Sequence, residues 1–365
     1  MKKIILLLVF VMVLQSVFVS CSKDNYETVM EYNGIELKEN MYNYWVSTYK
    51  KNILSSYEDV KDTEAFWKSK YDDTRTVEDY FTEIINKRIM TYLIAQSIFK
   101  ENKLKLSPEV KSAIDADISE KIEYYGSRSA LNSELKNLML NINSLEKIYT
   151  WEEKHKVVYD YLFGEDGIEA ISGKELEEYY KSNYSRIKYI VFFTTKIKKD
   201  DDGNYVYDSN GELVTEDMTE AELAAKKAEI EDCYDKLMNG ASFEDMRKEY
   251  SEYDTSKYPN GFFLSKNELQ TWGAEIILGT TKANEGEIFK VTEEEAVYII
   301  MKCKLTELED LNESDINQLS NLSVYATREL SEKKFEELSK DIVINKEIIS
   351  KYALSTIKPN PYYTF

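Results

Sequence analysis

The chain has 365 residues, of which 43% are hydrophobic and 31% are charged, as expected of a folded protein with two or three domains. Its formal net charge of −20 argues against nucleic acid or an anionic membrane surface as the main binding partner. With three cysteines in the whole chain, a disulfide framework of the kind found in small secreted domains is excluded.

Few residues of the sequence are suited to metal binding or nucleophilic catalysis. No zinc-binding spacing, phosphate-binding glycine loop or nucleophile elbow is present, so we expect no metal ion and no cofactor. The single histidine, His155, lies in a charged run that predicts an exposed helix surface. Cys233 and Cys303 allow one disulfide bridge, although two buried free thiols are expected.

Residues 1–20 have the parts of an export signal, namely a basic start, an apolar run over 4–18, and small or aliphatic residues before Cys21. The run is shorter than the roughly 20 residues of a membrane span, so we expect the segment to be removed. Phe18–Cys21 resembles the bacterial lipobox, although phenylalanine stands where leucine is usual. This predicts lipid on Cys21 and a tether over 21–27. The alternatives are an ordinary secretory signal with an incidental cysteine and a plain amino-terminal membrane anchor.

Helical patterns dominate the segment 28–180. A strand over 28–33 turns at Asn33-Gly34, and a helix is predicted over 38–57. Thr76 and Asp79 form a capping pattern ahead of apolar residues at helical spacing. Further helices are predicted from Ser107-Pro108, over 129–140 and over 144–162.

From Ile187 the helical periodicity stops and the sequence pattern becomes that of a mixed domain. Lys188–Phe193 is an aromatic and β-branched run typical of a buried strand, and a hairpin insertion is predicted over about 196–217. Thr219 and Glu222 cap the next helix. A helix over 242–250, a turn at Asn260-Gly261, a helix near 268–278 and a strand over 296–303 follow. The order βααβαβ predicts an α+β domain over 181–306, inserted in a helical domain that the tail 307–365 completes.

Several segments of this domain resemble the parvulin-type peptidyl-prolyl isomerases, and among them the lipoprotein foldases of the PrsA/SurA type. The segments are RIKYIVFF, AAKKAEIEDCYDKLMNGASFEDMRKEYSE, NGFF, ANEGEIFKV and VYIIMK. Outside it, YNGIELKENMYNYW and GKELEEYYKSNYSRIKYI resemble the start of the family's helical chaperone domain and its junction with the parvulin unit. The resemblance implies binding of unfolded or newly exported polypeptides, and it leaves a homodimer open.

The family's active members use two histidines on adjacent strands and an acidic or thiol group near the glycine turn. The matching positions here carry Tyr189, Tyr298 and, within one or two residues, Pro259. The usual polar residues are therefore missing, although two phenols can form a hydrogen-bonded pair. The resemblance assigns a proline-binding wall to Phe262, Phe263, Leu269, Trp272 and Ile276, for each of which a role in the core is the alternative.

The leading functional prediction is an extracytoplasmic, membrane-anchored foldase or holding chaperone whose parvulin-like domain is weak or inactive as an isomerase. The 29 tyrosines suit promiscuous binding of unfolded chains, but a genome rich in A and T accounts for them equally well. An active prolyl isomerase with a remodelled tyrosine site is one alternative. A solute-binding or adhesive surface lipoprotein is the other, but the chain is too helical at both ends for two α/β lobes.

Overall fold

The structure is a computed structural model. It describes residues 26–56, 60–200, 202–208, 211, 213–254, 256–265 and 272–361. The predicted export signal and Cys21 lie outside the described residues. Contacts between Cα atoms divide the chain into two units. The first contains the described residues up to Ala170 and from Ser331 onward, and the second is Ile171–Leu330.

Helices and antiparallel strands both occur in the described residues, which confirms the predicted α+β class. The strands are β1 (Thr28–Tyr32), β2 (Ile35–Lys38), β3 (Tyr184–Phe193), β4 (Thr195–Ile197), β5 (Thr215–Asp217), β6 (Phe262–Ser265), β7 (Ile288–Thr292), β8 (Ala296–Cys303) and β9 (Val343–Ile344). The α-helices are α1 (Glu39–Ser55), α2 (Glu64–Lys68), α3 (Val77–Glu101), α4 (Pro108–Tyr124), α5 (Arg128–Leu135), α6 (Ile142–Phe163), α7 (Gly173–Asn183), α8 (Glu220–Met238), α9 (Phe243–Tyr250), α10 (Ala274–Lys282), α11 (Glu313–Gln318), α12 (Leu322–Ser339) and α13 (Lys346–Ile349).

In the first unit, helices surround a small antiparallel sheet of order β2-β1-β9. Asn33 and Gly34 join β1 to β2 with positive φ angles of 48° and 72°, which a tight two-residue hairpin needs. Thr76 and Asp79 form a reciprocal capping box at the start of α3, as predicted. Helix α3 packs against α6, and the ring of Trp45 is buried in the core.

His155 is buried with 6% of its surface exposed, so the prediction of an exposed helix surface was wrong. Its ring lies 5.2 Å from the ring of Tyr92 and 5.9 Å from that of Phe335. Phe335 comes from α12, far from His155 along the chain, so this contact leaves no mark in the local sequence pattern. Burial, together with nearby Arg88 and Lys156, lowers the pKa of His155 to about 4.

Two buried charged side chains hold the C-terminal segment of the first unit. The ammonium group of Lys50 pairs with Asp62 at 2.7 Å and donates to the carbonyl oxygen of Ile357 at 2.7 Å. The carboxylate of Glu78 accepts hydrogen bonds from the backbone N–H and the hydroxyl of Ser355 at 2.7 and 2.8 Å. Both charges therefore have partners, and they fix residues 355–357 to α1 and α3.

The second unit contains a four-stranded antiparallel sheet of order β6-β3-β8-β7. Successive residues of a strand point to opposite faces of the sheet. Ile190 and Phe192 accordingly share one core with α8 and α9, whereas Ile187, Tyr189 and Val191 share a second core with α10. The candidate site lies on the α10 face.

The structure adds one strand to the predicted βααβαβ order. Strand β7 precedes β8 and pairs with it, so the four-stranded sheet is completed by two consecutive strands. It is short, lies at the sheet edge and buries only Val291 fully, so its alternating pattern is weak in the sequence. Strands β4 and β5 pair antiparallel at the two ends of the segment predicted as a hairpin insertion, with Thr195 opposite Asp217.

The boundaries of the two units lie at 170/171 and 330/331, whereas the sequence predicts 180/181 and 306/307. Helix α7 and residues 307–330 belong to the second unit because Tyr180 and Leu322 share a core with Phe263. The described residues from 331 to 361 belong to the first unit.

Within the described ranges, no helix combines the length and the apolar character that crossing a membrane requires. The same residues include no group of three or more histidine, cysteine, aspartate or glutamate side chains arranged to hold a metal ion.

Candidate functional site

Tyr189 and Tyr298 lie on adjacent strands and on the same face of the sheet. In the β3-β8 register Tyr189 is opposite Ile300 and Tyr298 is opposite Val191. This offset of two residues keeps both side chains on one face, within reach of each other. Their ring centroids are 5.7 Å apart and the ring planes meet at 73°. The structure therefore brings the two rings into contact.

The two hydroxyl groups do not form the hydrogen-bonded pair that the sequence allows, and within the described residues neither has a hydrogen-bond partner. Burial raises the pKa of Tyr189, and the neighbouring phenols of Tyr253 and Tyr298 raise it further. Burial also raises the pKa of Tyr298, with a contribution from the carboxylate of Glu293. Both phenols stay protonated at neutral pH and can donate a hydrogen bond to a bound chain.

The structure places Phe262 at the site and Phe263 away from it. Phe262 lies opposite Ile187 in the β3-β6 register and stacks on Tyr189 with ring centroids 5.0 Å apart. Phe263 lies opposite Arg186 and is buried in the core shared with α7 and α12. Since neighbouring residues of a strand point to opposite faces, these two rings cannot both line one site.

Trp272 and Ile276 reach the site from different parts of the backbone. The sequence predicts them with Leu269 on one face of one helix, but α10 begins only after Gly273, whose φ of 71° is not helical. The ring of Trp272 meets that of Tyr189 edge-on at 5.9 Å. Ile276 is buried in the same core. Leu269 lies outside the described residues.

These side chains leave a cavity of about 360 Å³. Its lining consists of Tyr189, Trp272, Gly273, Ile276, Glu293 and Tyr298. The Oε1 atom of Glu293 is buried and has no hydrogen-bond partner among the described residues. A Cβ atom on Gly273 would lie 3.0 Å from that oxygen, so glycine keeps the wall beside the carboxylate free. The site is therefore aromatic on most sides and carries one unpaired carboxylate oxygen.

Sequence reasoning missed Glu293 and Gly273. Glu293 is the first of three consecutive glutamates between β7 and β8, and nothing in the sequence separates it from Glu294 or Glu295. Gly273 lies in the middle of the helix predicted near 268–278, and a glycine inside a helical pattern was a usable signal.

Pro259 lies exposed in the turn before β6 and offers no side-chain acid or thiol. The turn itself is fixed by Gly261, which has a φ of 100°. A Cβ atom there would lie 2.3 Å from the carbonyl oxygen of Ile187, so only glycine allows β6 to approach β3. The turn is present, but the acidic or thiol group that the resemblance implies beside it is missing.

Both cysteines of the second unit are free thiols. Cys233 is buried in the core on the opposite face of the sheet, and burial raises its pKa to about 11. Cys303 is only half-buried, contrary to the expectation of two buried thiols, and burial also raises its pKa. Neither lines the aromatic cavity, so neither supplies a thiolate to it.

The arrangement can bind and desolvate an apolar group and donate hydrogen bonds from two phenols. The described residues that line the cavity include no histidine, cysteine, serine or lysine. Of the lining residues that the structure describes, Glu293 alone carries a charged group.

No family model matches the sequence, and no curated protein matches it. A comparison with solved structures finds PrsA of Bacillus subtilis, with 18% identity, coverage of 78% of this chain and 93% of that one, and a TM-score of 0.22. The peptidylprolyl isomerase PrsA of Bacillus cereus has 15% identity, coverage of 90% and 99%, and a TM-score of 0.28. The foldase protein PrsA of Lactococcus lactis has 11% identity, coverage of 90% and 99%, and a TM-score of 0.24. These structures belong to the family that the sequence resembles.

Proposed function

We propose that the chain is an extracytoplasmic foldase or holding chaperone that binds unfolded or newly exported polypeptides and is anchored to the membrane through lipid on Cys21. The observation that carries the proposal is the aromatic cavity of the second unit. It is formed at positions that the resemblance assigns to catalysis and proline binding, namely Tyr189, Tyr298, Trp272 and Ile276.

The size and walls of the cavity support this function. At about 360 Å³ it lies at the small end of protein ligand pockets and suits one or two residues of a bound chain. Tyrosine and tryptophan offer broad apolar contact and a polar tip, which tolerates many different client sequences. The phenols of Tyr189 and Tyr298 add hydrogen bonding for a client backbone.

The same geometry supports weak prolyl isomerase activity or none. Rotation about an X–Pro bond must cross a barrier of ~18–20 kcal/mol, and an enzyme lowers it by stabilising the twisted amide more than the planar one. The cavity can desolvate a prolyl amide, but its polar groups are two phenols and a carboxylate. Desolvation of the prolyl amide can therefore contribute to catalysis, but the histidines and the acidic or thiol group of the family are missing.

Delayed aggregation of an unfolded substrate protein tests the chaperone function. The chain should slow the rise of light scattering at equimolar concentration, and Trp272→Ala should weaken this effect because it removes one wall of the cavity. Tyr124→Ala is the matched control, since Tyr124 is an aromatic residue of the first unit with 82% of its surface exposed. A chain that leaves the scattering curve unchanged would contradict the proposal and favour a solute-binding or adhesive lipoprotein.

A protease-coupled assay on a proline tetrapeptide tests the enzymatic part. We expect little acceleration of cis-to-trans conversion. A clear acceleration that Tyr189→Phe or Tyr298→Phe abolishes would assign an active isomerase with a remodelled tyrosine site, and the proposal of a weak or inactive domain would then be wrong.

The lipid anchor is tested separately. Cells fed a labelled fatty acid should incorporate it into the chain, and Cys21→Ser should abolish labelling and release the protein from the membrane fraction. Cys233→Ser is the control because that thiol is buried in the core of the second unit. Release of the unaltered chain without label would favour an ordinary secretory signal.

A further inference from the structure

The aromatic walls of the cavity meet at steep angles. The ring of Tyr189 makes angles of 73° with the rings of both Trp272 and Tyr298, at centroid distances of 5.9 and 5.7 Å. Phe262 packs behind them, 5.6 Å from Trp272. Tyr189, Trp272 and Tyr298 all line the cavity, so several aromatic side chains border the same open space. Electron-rich ring faces on several sides of one cavity favour a positively charged group within about 6 Å.

The carboxylate of Glu293 completes this box. Its Oε1 atom is removed from solvent and has no hydrogen-bond or ion-pair partner among the described residues. A buried polar atom without a partner is costly, and the cost is recovered when a ligand brings a donor or a positive charge to it. Gly273 leaves the space beside this oxygen free of a side chain.

Among the described residues, no cationic side chain is paired with Oε1 of Glu293. The guanidinium group of Arg247, which influences the pKa of Tyr189, is paired with Glu244 at 2.8 Å. A metal ion is a poor occupant, because hard cations take six or more oxygen ligands and the lining offers one carboxylate and two phenols. A compact organic cation with an apolar stem fits both the rings and the carboxylate.

We propose that this cavity binds the cationic side chain of a lysine or arginine in the client polypeptide, between its aromatic walls and the carboxylate of Glu293. The inference rests on the proposed function, since the occupant is part of a client chain. It adds a specificity: the second unit selects basic segments, and it disfavours acidic ones because Glu293 repels them.

Calorimetric titration of the full chain with matched peptides tests this specificity. Three octapeptides differ only in the residue before a central proline, which is lysine, the neutral and similarly sized norleucine, or glutamate. We expect the lysine peptide to bind about tenfold more tightly than the norleucine peptide, and the glutamate peptide to bind most weakly. Glu293→Gln should reduce the ratio of lysine to norleucine affinity to about one.

Glu294→Gln is the matched control, because Glu294 is the exposed neighbour of Glu293 and its substitution removes the same charge. It should leave the preference for lysine intact. Trp272→Phe should retain part of the preference and Trp272→Leu should lose it, which shows that an aromatic wall is needed and not only apolar volume. Circular dichroism of each variant shows whether it has folded.

Equal affinities for the lysine and norleucine peptides, or a preference that survives Glu293→Gln, would overturn the inference. Displacement of the lysine peptide by an equal concentration of choline would also overturn it, because the occupant would then be a small quaternary amine. If the chain still delays aggregation in these cases, only the specificity fails. If it neither delays aggregation nor binds any peptide, the proposed function fails as well.

Discussion

Lys50 in the first unit and Glu293 in the second are both charged side chains with buried polar atoms, but their surroundings differ. Lys50 has an ion pair with Asp62, a hydrogen bond to the carbonyl oxygen of Ile357 and the ring of Trp67 at 5.4 Å. The Oε1 atom of Glu293 has no such partner in the described part of the chain and lies at a cavity wall. A buried charge that has ion-pair and hydrogen-bond partners stabilises the fold. A buried charge that lacks them and borders a cavity is suited to binding a ligand.

The largest effect on stability should come from removing the ion-pair partner of Lys50. Asp62→Ala removes the carboxylate that accepts from both Lys50 and the indole N–H of Trp67. A buried ammonium group left without its counter-charge should lower the free energy of unfolding by about 3–5 kcal/mol. Urea unfolding followed by tryptophan fluorescence measures this, since Trp45, Trp67 and Trp151 all lie in the first unit.

The control for this experiment is Asp73→Ala. Asp73 also pairs with a lysine, Lys70, at 2.7 Å, but 97% of its side-chain surface is exposed. We expect no measurable change, because exposed ion pairs are screened by solvent. A loss for Asp62→Ala no larger than that of the control would mean that the Lys50 pair does not serve the fold.

His155 should make the stability of the first unit depend on pH. Its folded pKa of about 4 lies below the value of about 6.5 for an unfolded chain, so the unfolded state binds the proton first as the pH falls. The stabilisation is therefore present above pH 6.5 and is lost as the pH falls towards 4. By this linkage the unfolding free energy should drop by about 2 kcal/mol between pH 7.5 and 5.

Urea unfolding of the parent chain and of His155→Phe at both pH values isolates this contribution. The variant keeps an aromatic ring among Tyr92 and Phe335 but cannot take up a proton. Carboxylates titrate equally in both chains, so the smaller pH dependence of His155→Phe measures the histidine alone. Identical pH dependence in the two chains would show that His155 is accessible to solvent.

The outcome for His155 also shows where sequence reasoning stops. Capping residues such as Thr76, Ser107 and Thr219 could be predicted because a cap depends on residues three positions apart. The burial of His155 depends on Phe335, 180 positions further along the chain by their numbering, and no local pattern records that contact. Element types were therefore predictable, and long-range burial was not.

At the candidate site the same division holds. The facing positions of Tyr189 and Tyr298 followed from the resemblance, but the opposite directions of Phe262 and Phe263 followed from strand alternation and could have been predicted. Glu293 could not, because only the turn geometry between β7 and β8 separates it from the glutamates that follow it.

Within the second unit, Glu244 is a carboxylate with ion-pair partners, and it can therefore be compared with Glu293. Its carboxylate pairs with Lys188 and, at 2.8 Å, with the buried guanidinium group of Arg247. Glu244→Gln keeps the shape but replaces charge-assisted hydrogen bonds by neutral ones, so we expect a loss of about 1–2 kcal/mol. Hydrogen exchange of the β3 and β8 amides, read by mass spectrometry, measures the stability of this sheet.

Glu293→Gln should have the smallest effect on stability, and its sign is the sharpest test of the comparison. Because Oε1 of Glu293 is buried without a partner among the described residues, removing the charge relieves a desolvation cost and breaks no hydrogen bond to that atom. Exchange of the β3 and β8 amides should be unchanged or slower, corresponding to a gain of up to about 1 kcal/mol. If Glu293→Gln instead destabilises the sheet as much as Glu244→Gln does, the carboxylate serves the fold, and the contrast with Lys50 disappears. An unchanged or stabilised sheet that has lost its preference for basic peptides would show that the carboxylate is maintained for binding at a small cost in stability.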